Sequence, residues 1–150
     1  MATTDKGLLP IHTILHPTDF SLQSTYAFSV ARALARDYQA RLVIFHAVTV
    51  PTAIYAEPGV LPQFEDRSAD LVQKLEEMKA TDANLRMDHL LKEGDPASEI
   101  LDAATEVDAN IIVMGTHGRT GLGRLLMGSV AEHVLRKAPC PVLTVRTKVE

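Results

Sequence analysis

The feature that most constrains this chain is the regular exchange of short apolar runs for longer segments with helical spacing. Ile11 to Leu15 is a short run ending at His16-Pro17 and reads as a strand. Ser21 to Tyr38 follows with Leu22, Tyr26, Val30, Ala33 and Leu34 in helical rhythm, marking one apolar face behind a Ser21 cap. Leu42-Val43-Ile44-Phe45 has no polar alternation, as expected for a parallel strand covered on both faces. Val48 to Leu61 reads as a loop, and Pro62 to Thr81 as a helix with Phe64, Leu71, Val72, Leu75 and Met78 on one side. Leu85 to Leu91 alternates Leu85, Met87 and His89 with Arg86 and Asp88, which suggests a solvated face and places it at a sheet edge. Asp95-Pro96 starts a helix to about Thr105, Asn110 to Met114 is another buried strand, and Val142 to Val145 is the last. Between those two, Ser129 to Lys137 is a helix stopped by Pro139, with Arg136 and Lys137 at the negative end of its dipole.

Such alternation predicts an α/β fold: a doubly wound, five-stranded parallel sheet in the order 3-2-1-4-5, helices on both faces and right-handed crossovers. Residues 1–150 are expected to form a single domain, long enough to bury its own core. In such sheets ligands bind beyond the carboxyl ends of the strands, near the switch in strand order. The loops after strands one and four, with the end of strand two beside them, are therefore the expected site.

Charge and composition narrow the function. The formal net charge is −4, a poor match for a nucleic-acid partner, which calls for a basic surface. Cys140, the single cysteine, permits no intrachain disulfide and suits a packing role between Pro139 and Pro141. Met1 to Leu9 lacks the apolar core of a secretion signal, and no apolar run approaches the roughly 20 residues of a membrane span. The expectation is a cytoplasmic protein with neither a nucleic-acid nor a membrane partner.

The loop after the fourth strand, Met114 to Ser129, holds five of the chain's eight glycines. It exceeds the usual βα loop of about 2–6 residues. Glycines let backbone amides approach a phosphate and turn toward one anion. Gly128-Ser129 opens a helix whose amides and dipole favour bound phosphate, Ser129 can donate to a phosphate or cap that helix, and Arg119 and Arg124 offer charge. From Gly118 to Gly123 the spacing is that of a P-loop, but Arg124-Leu125 follows in place of Lys and Ser or Thr. Gly121-Leu122-Gly123 has Leu126 where a dinucleotide fingerprint has its third glycine. After the first strand, Pro17-Thr18-Asp19-Phe20-Ser21 brings Asp19, able to accept from ribose hydroxyls, to hold a phosphate-bound metal through water, or to cap the first helix.

These residues resemble the universal stress protein family, whose ATP-binding members carry G-x-x-G, nine residues, then G-[ST]. Here the elements are Gly115-Thr116-His117-Gly118, nine residues, then Gly128-Ser129. Pro17-Thr18-Asp19-Phe20-Ser21 is similar to the family's first-strand loop, His46-Ala47 to its second-strand end and Pro141 to Val145 to its closing strand. The resemblance runs from about Leu9 to Arg146 and is weakest between Val48 and Leu91. It implies ATP, or ADP or AMP, with Mg or Mn carried on the phosphates. It implies that Pro17, Thr18 and Ala47 line the adenine and ribose pocket, and that Asp19 meets the ribose or, indirectly, the metal. Met114 and Gly115 would flank the sugar, and His117, Gly118, Arg119, Gly128, Ser129 and Val130 would hold phosphates. It further implies a homodimer through the C-terminal strand, and a stress-response role as a nucleotide-dependent sensor or regulator.

Other constellations carry less. His12 and His16 share a strand face, but four strand residues span roughly 13 Å, too far for one metal. His46 and His133 read as structural, and only His117 as a ligand contact. Ser129, His117 and Asp19 make an unconvincing triad, because a serine at a helix N-terminus is more ordinarily a cap or a phosphate ligand. With no lysine in the loop, binding is favoured over turnover. A slow ATPase or phosphoryl-transfer enzyme, a dimeric interaction module without nucleotide, and a flavodoxin-like flavin carrier are the alternatives. Few aromatic residues, none of them in the loop, argue against the flavin.

Overall fold

A computed structural model describes residues 9–49, 59, 67–117 and 127–147. Its elements are β1 (Thr13–Pro17), α1 (Leu22–Tyr38), β2 (Arg41–Val48), α2 (Ser68–Lys79), β3 (Met87–Glu93), α3 (Pro96–Glu106), β4 (Ile111–Gly115), α4 (Ser129–Lys137) and β5 (Val142–Val145). The five strands form one sheet in the order β3-β2-β1-β4-β5, every pair parallel. This is the doubly wound order, and the switch lies between β1 and β4.

Consecutive strand residues point to opposite faces, which is why the apolar runs are unbroken. On one face Ile14, Leu42, Ile44, Val113 and Val145 pack with Ala27, Phe28, Ala31 and Ala35 of α1 and Leu75 of α2. On the other, Leu15, Val43, Phe45, Ile112 and Met114 pack with Ala97, Ile100, Ala103 and Ala104 of α3 and Ala131 and Val134 of α4. The alanines matter: small side chains bring the helices close to the sheet, where Ile and Phe of the strands fill the space.

Several boundaries and one face differ from the sequence reading. Helix α1 is buried through Ser24, Ala27, Phe28, Ala31 and Ala35, whereas Leu22 and Tyr26 are exposed. Strand β1 runs to Pro17, with His12 exposed ahead of it, because Asn110 Oδ1 accepts from the amides of His12 and Thr13 and holds the chain at the entrance. Strand β2 continues through His46, Ala47 and Val48, paired with β3 after β1 has left. Strand β3 lies at the edge as expected but begins at Met87, after a turn in which Leu85 N–H donates to Asp82 O. Its Leu90 and Leu91 pack into opposite cores, so neither face is fully solvated. The described part of the second helix is Ser68–Lys79, and Pro62 and Phe64 lie outside the described residues.

Gly94 joins β3 to α3 at φ +145°, and a Cβ there would lie 2.8 Å from Glu99 Oε1. The Glu99 side chain can swing aside, so the penalty of a substitution is mainly in the backbone. Gly94→Ala is expected to lower stability by about 1–3 kcal/mol. Urea unfolding checks this as a lower midpoint with an unchanged slope.

Candidate functional site

The site is set by where the sheet's hydrogen-bond ladders stop. Thr18 N–H donates to Phe45 O at 2.7 Å, so even-numbered residues here turn their backbone groups toward β2 and Pro17 turns toward β4. The next bond to β4 would run from residue 17 to Val113 O, but proline has no N–H. His16 supplies the missing donor: its Nδ1–H donates to Val113 O at 2.8 Å. That ring is fully buried, stacked on Phe28, with Nε2 lacking a partner. Burial lowers its pKa from 6.5 to about 4, against the opposing pulls of the Val113 carbonyl and Asp19.

Strand β2 repeats the pattern one step on. Val48 O accepts from Gly94 N–H on the β3 side, so the backbone groups of Ala47 face the other way, past the end of β1. The ladder would next join Ala47 N–H to Thr18 O. Thr18 O instead accepts from His46 Nδ1–H at 2.7 Å. The Ala47 N–H and C=O thereby remain turned toward the space beside Pro17 and Thr18, a donor and an acceptor side by side.

The N-termini of α1, α3 and α4 at this end of the sheet differ. Helix α1 is capped by Ser21 Oγ, which accepts from Ser24 N–H, while Asp19 Oδ1 accepts from Ser21 N–H at 3.0 Å. Asp19 is therefore not the cap considered from sequence but the residue that fixes it. Helix α3 is capped by Asp95, which accepts from Ser98 N–H, a bond that holds its carboxyl below the usual range. Helix α4 begins at Ser129 on a Gly128 cap with no side chain to offer, so Ser129 is its first helical residue rather than its cap. Gly128 gives its first-turn amides no side-chain cap. Gly128 N–H is tied to Thr116 O at 2.6 Å, and Thr116 N–H to Val145 O at 3.1 Å, which anchors this open N-terminus to the ends of β4 and β5.

Between these features lies a cavity of about 340 Å³. It is lined by Pro17, Thr18, Asp19, Ala47, Met114, Gly115, His117, Gly128, Ser129 and Val130, ten residues expected there from sequence. Gly118 and Arg119 lie outside the described residues. Ser24, Phe45, His46, Pro96, Ile100, Thr116 and Ala131 also line it and were not placed in the site from sequence. Pro96 and Ile100 follow from the Asp95-Pro96 helix start once α3 is known to border the site. The side chain of His46, read from sequence as structural, forms part of the cavity wall. The walls are apolar at Ile100, Met114 and Phe45 and polar at Asp19, His46, Thr116 and His117. Among the described residues, no cluster of three or more His, Cys, Asp or Glu is arranged to hold a metal directly, and no helix is long and apolar enough to cross a membrane.

Residues 10–146 match the universal stress protein family. The chain belongs to that family. A universal stress protein of Thermus aquaticus is 38% identical over 138 residues, covering 89% of this chain and 98% of the relative. Among solved structures, MJ0577 of Methanocaldococcus jannaschii superposes with a TM-score of 0.76 at 25% identity, covering 94% of this chain and 99% of that one. A universal stress protein in complex with cAMP superposes at 0.68, also at 25% identity, covering 93% and 99%. In this universal stress protein Gly115 closes β4 and Gly128 opens α4, and both line the cavity.

Proposed function

We propose that this universal stress protein binds ATP, or a related adenine nucleotide, in the cavity and acts as a nucleotide-dependent regulator of a stress response. The observation that carries the reading is the pairing, across one cavity, of the Gly128-capped N-terminus of α4 with the outward-turned backbone of Ala47. The first suits an anion: unpaired amides and the positive end of a dipole favour phosphate. The second suits a base edge with a neighbouring acceptor and donor, as adenine offers at N1 and N6. Pro17, Ile100 and Met114 supply apolar walls for the ring system, and Asp19 an acceptor for ribose hydroxyls or for water on a phosphate-bound Mg or Mn. The cAMP bound by a structural neighbour supports an adenine nucleotide as the ligand class. Val130 and His117, with Gly118 and Arg119 from the same loop of the sequence, complete the phosphate seat. A homodimer through the open edge of β5 and a cytoplasmic location belong to the same reading.

Two measurements test it. Purified protein is denatured and its supernatant run on nucleotide-resolving chromatography, and ATP-Mg²⁺ is titrated calorimetrically into stripped protein. Co-purified adenine nucleotide, or saturable micromolar binding, is the expected result. Neither nucleotide nor binding heat would overturn the reading and put a dimeric interaction module in its place.

A further inference from the structure

Phe20, next to Asp19, has φ +63°. That left-handed conformation suits Gly or Asn and is an outlier for a bulky residue. Such strain persists where the surroundings impose it, and it clusters at functional sites. Here the surroundings are identifiable. The Phe20 ring lies against the imidazole of His46, centroids 4.6 Å apart, and under the ammonium of Lys74 of α2 at 5.1 Å. Its own N–H donates to Thr18 Oγ1 at 3.1 Å, and Thr18 Oγ1 also accepts from Ser24 Oγ at 2.8 Å.

The contacts form a closed circuit. Phe20 braces His46, His46 Nδ1–H occupies Thr18 O, and Thr18 returns a bond to Phe20. A carbonyl only accepts, so the proton sits on Nδ1. Thr18 O is also the acceptor that the parallel ladder would assign to Ala47 N–H. With the imidazole on Thr18 O, no bond from Ala47 N–H to that oxygen forms among the described residues.

We infer that His46, braced by the strained Phe20, is a positioning residue: it takes Thr18 O away from the ladder so that the Ala47 backbone stays open to a base. This deepens the nucleotide reading and rests on it for its consequence, though not for its geometry. Without His46 the ladder should close by one bond, Ala47 N–H to Thr18 O. That would protect the amide and remove it from the ligand.

The test compares wild type with His46→Ala, His46→Asn, Phe20→Asn and the His46→Ala/Phe20→Asn double variant. The Asn amide at 46 keeps a donor near the Nδ1 position, and Asn at 20 accepts the left-handed backbone without the ring. In stripped protein, hydrogen exchange at the Ala47 amide should slow at least about 10-fold in His46→Ala and recover in His46→Asn. Simple loosening of the structure has the opposite sign. Faster or unchanged exchange in His46→Ala overturns the inference. ATP-Mg²⁺ affinity should fall about 10-fold in His46→Ala and in Phe20→Asn, with the double variant little worse than either, because both act through one circuit. Multiplying effects would overturn the bracing role of Phe20. If wild type binds no ATP while the Ala47 exchange still behaves as stated, the nucleotide reading fails and the positioning geometry stands.

Discussion

Gly128→Glu should weaken ATP binding by at least about 30-fold while leaving the fold intact. Gly128 has φ −72° and ψ 160°, a conformation open to any residue, so the backbone tolerates the change. Its N–H to Thr116 O bond needs no side chain and survives. What changes is the charge at the open end of α4. A carboxylate about 4 Å from a phosphate, at an effective dielectric of about 20, repels it by about 4 kcal/mol, or about 10³ in affinity. Solvent screening that halves this still leaves roughly a 30-fold loss. The helix dipole, at about 0.3–1 kcal/mol, is too small to offset either figure. Gly128→Ala, which adds bulk without charge, should bind within a few-fold of wild type. Calorimetry with ATP-Mg²⁺ at 0.15 M salt separates the three proteins, and circular dichroism checks that all are folded. Wild-type affinity in folded Gly128→Glu would remove α4 as the phosphate seat.

The neutral control addresses a second question, what a glycine does here. At Gly94 the backbone itself demands glycine, at φ +145°. At Gly128 it does not, and the missing side chain offers α4 no cap. Gly94 thus serves through its torsion angles and Gly128 through the room it leaves. Only the second use belongs to the candidate site.

The topology was legible because parallel strands buried on both faces leave unbroken apolar runs such as Leu42 to Phe45, and helices α1 and α3 announce themselves with Ser21 and Asp95 caps. The site's position followed from strand order, and its glycines and Asp19 from their chemistry. Residue size misled in α1. Leu22 and Tyr26 read as part of a buried face, yet the helix packs on the sheet through Ala27, Phe28, Ala31 and Ala35, with only Val30 and Leu34 of the expected series half-buried beside them. Ladder phase was also invisible. Nothing in the letters His-Pro-Thr says that residue 16 donates where residue 17 has no amide, or that His46 displaces Ala47 from Thr18. Those facts depend on which neighbour each backbone group faces, known only when the strands are paired. Strand ends erred for the same reason: β2 runs to Val48 because β3, not β1, supports its last residues.

His16 carries the other large effect, on stability rather than binding. Its pKa is 6.5 when free and about 4 when folded, because burial disfavours the charged ring and Nε2 has no acceptor waiting. The sign follows from proton counting. Between pH 6.5 and 4 the unfolded chain takes up a proton at His16 that the folded chain refuses, so stability falls as pH falls through that window and levels off below it. The difference amounts to about 3 kcal/mol in full, and about 2.5 kcal/mol is already lost at pH 4.5. The carboxylates act in a separate range. Asp82, Asp88 and Asp95 have folded pKa values below 3.8, so their contribution is present above 3.8 and is lost only as pH falls through their lower folded values. The window between 6.5 and about 4.5 thus isolates the buried imidazole from these carboxylates. His16→Asn keeps a donor near the Nδ1 position for Val113 O and removes the titration. Its stability at pH 7 should drop modestly, since Asn fills less of the space beside Phe28. Its further loss between pH 7 and 4.5 should be smaller than that of wild type by about 2.5 kcal/mol. Urea unfolding at the two pH values measures both slopes. Equal slopes in the two proteins would mean that His16 accepts a proton in the folded state, and that Nε2 finds a partner when it does.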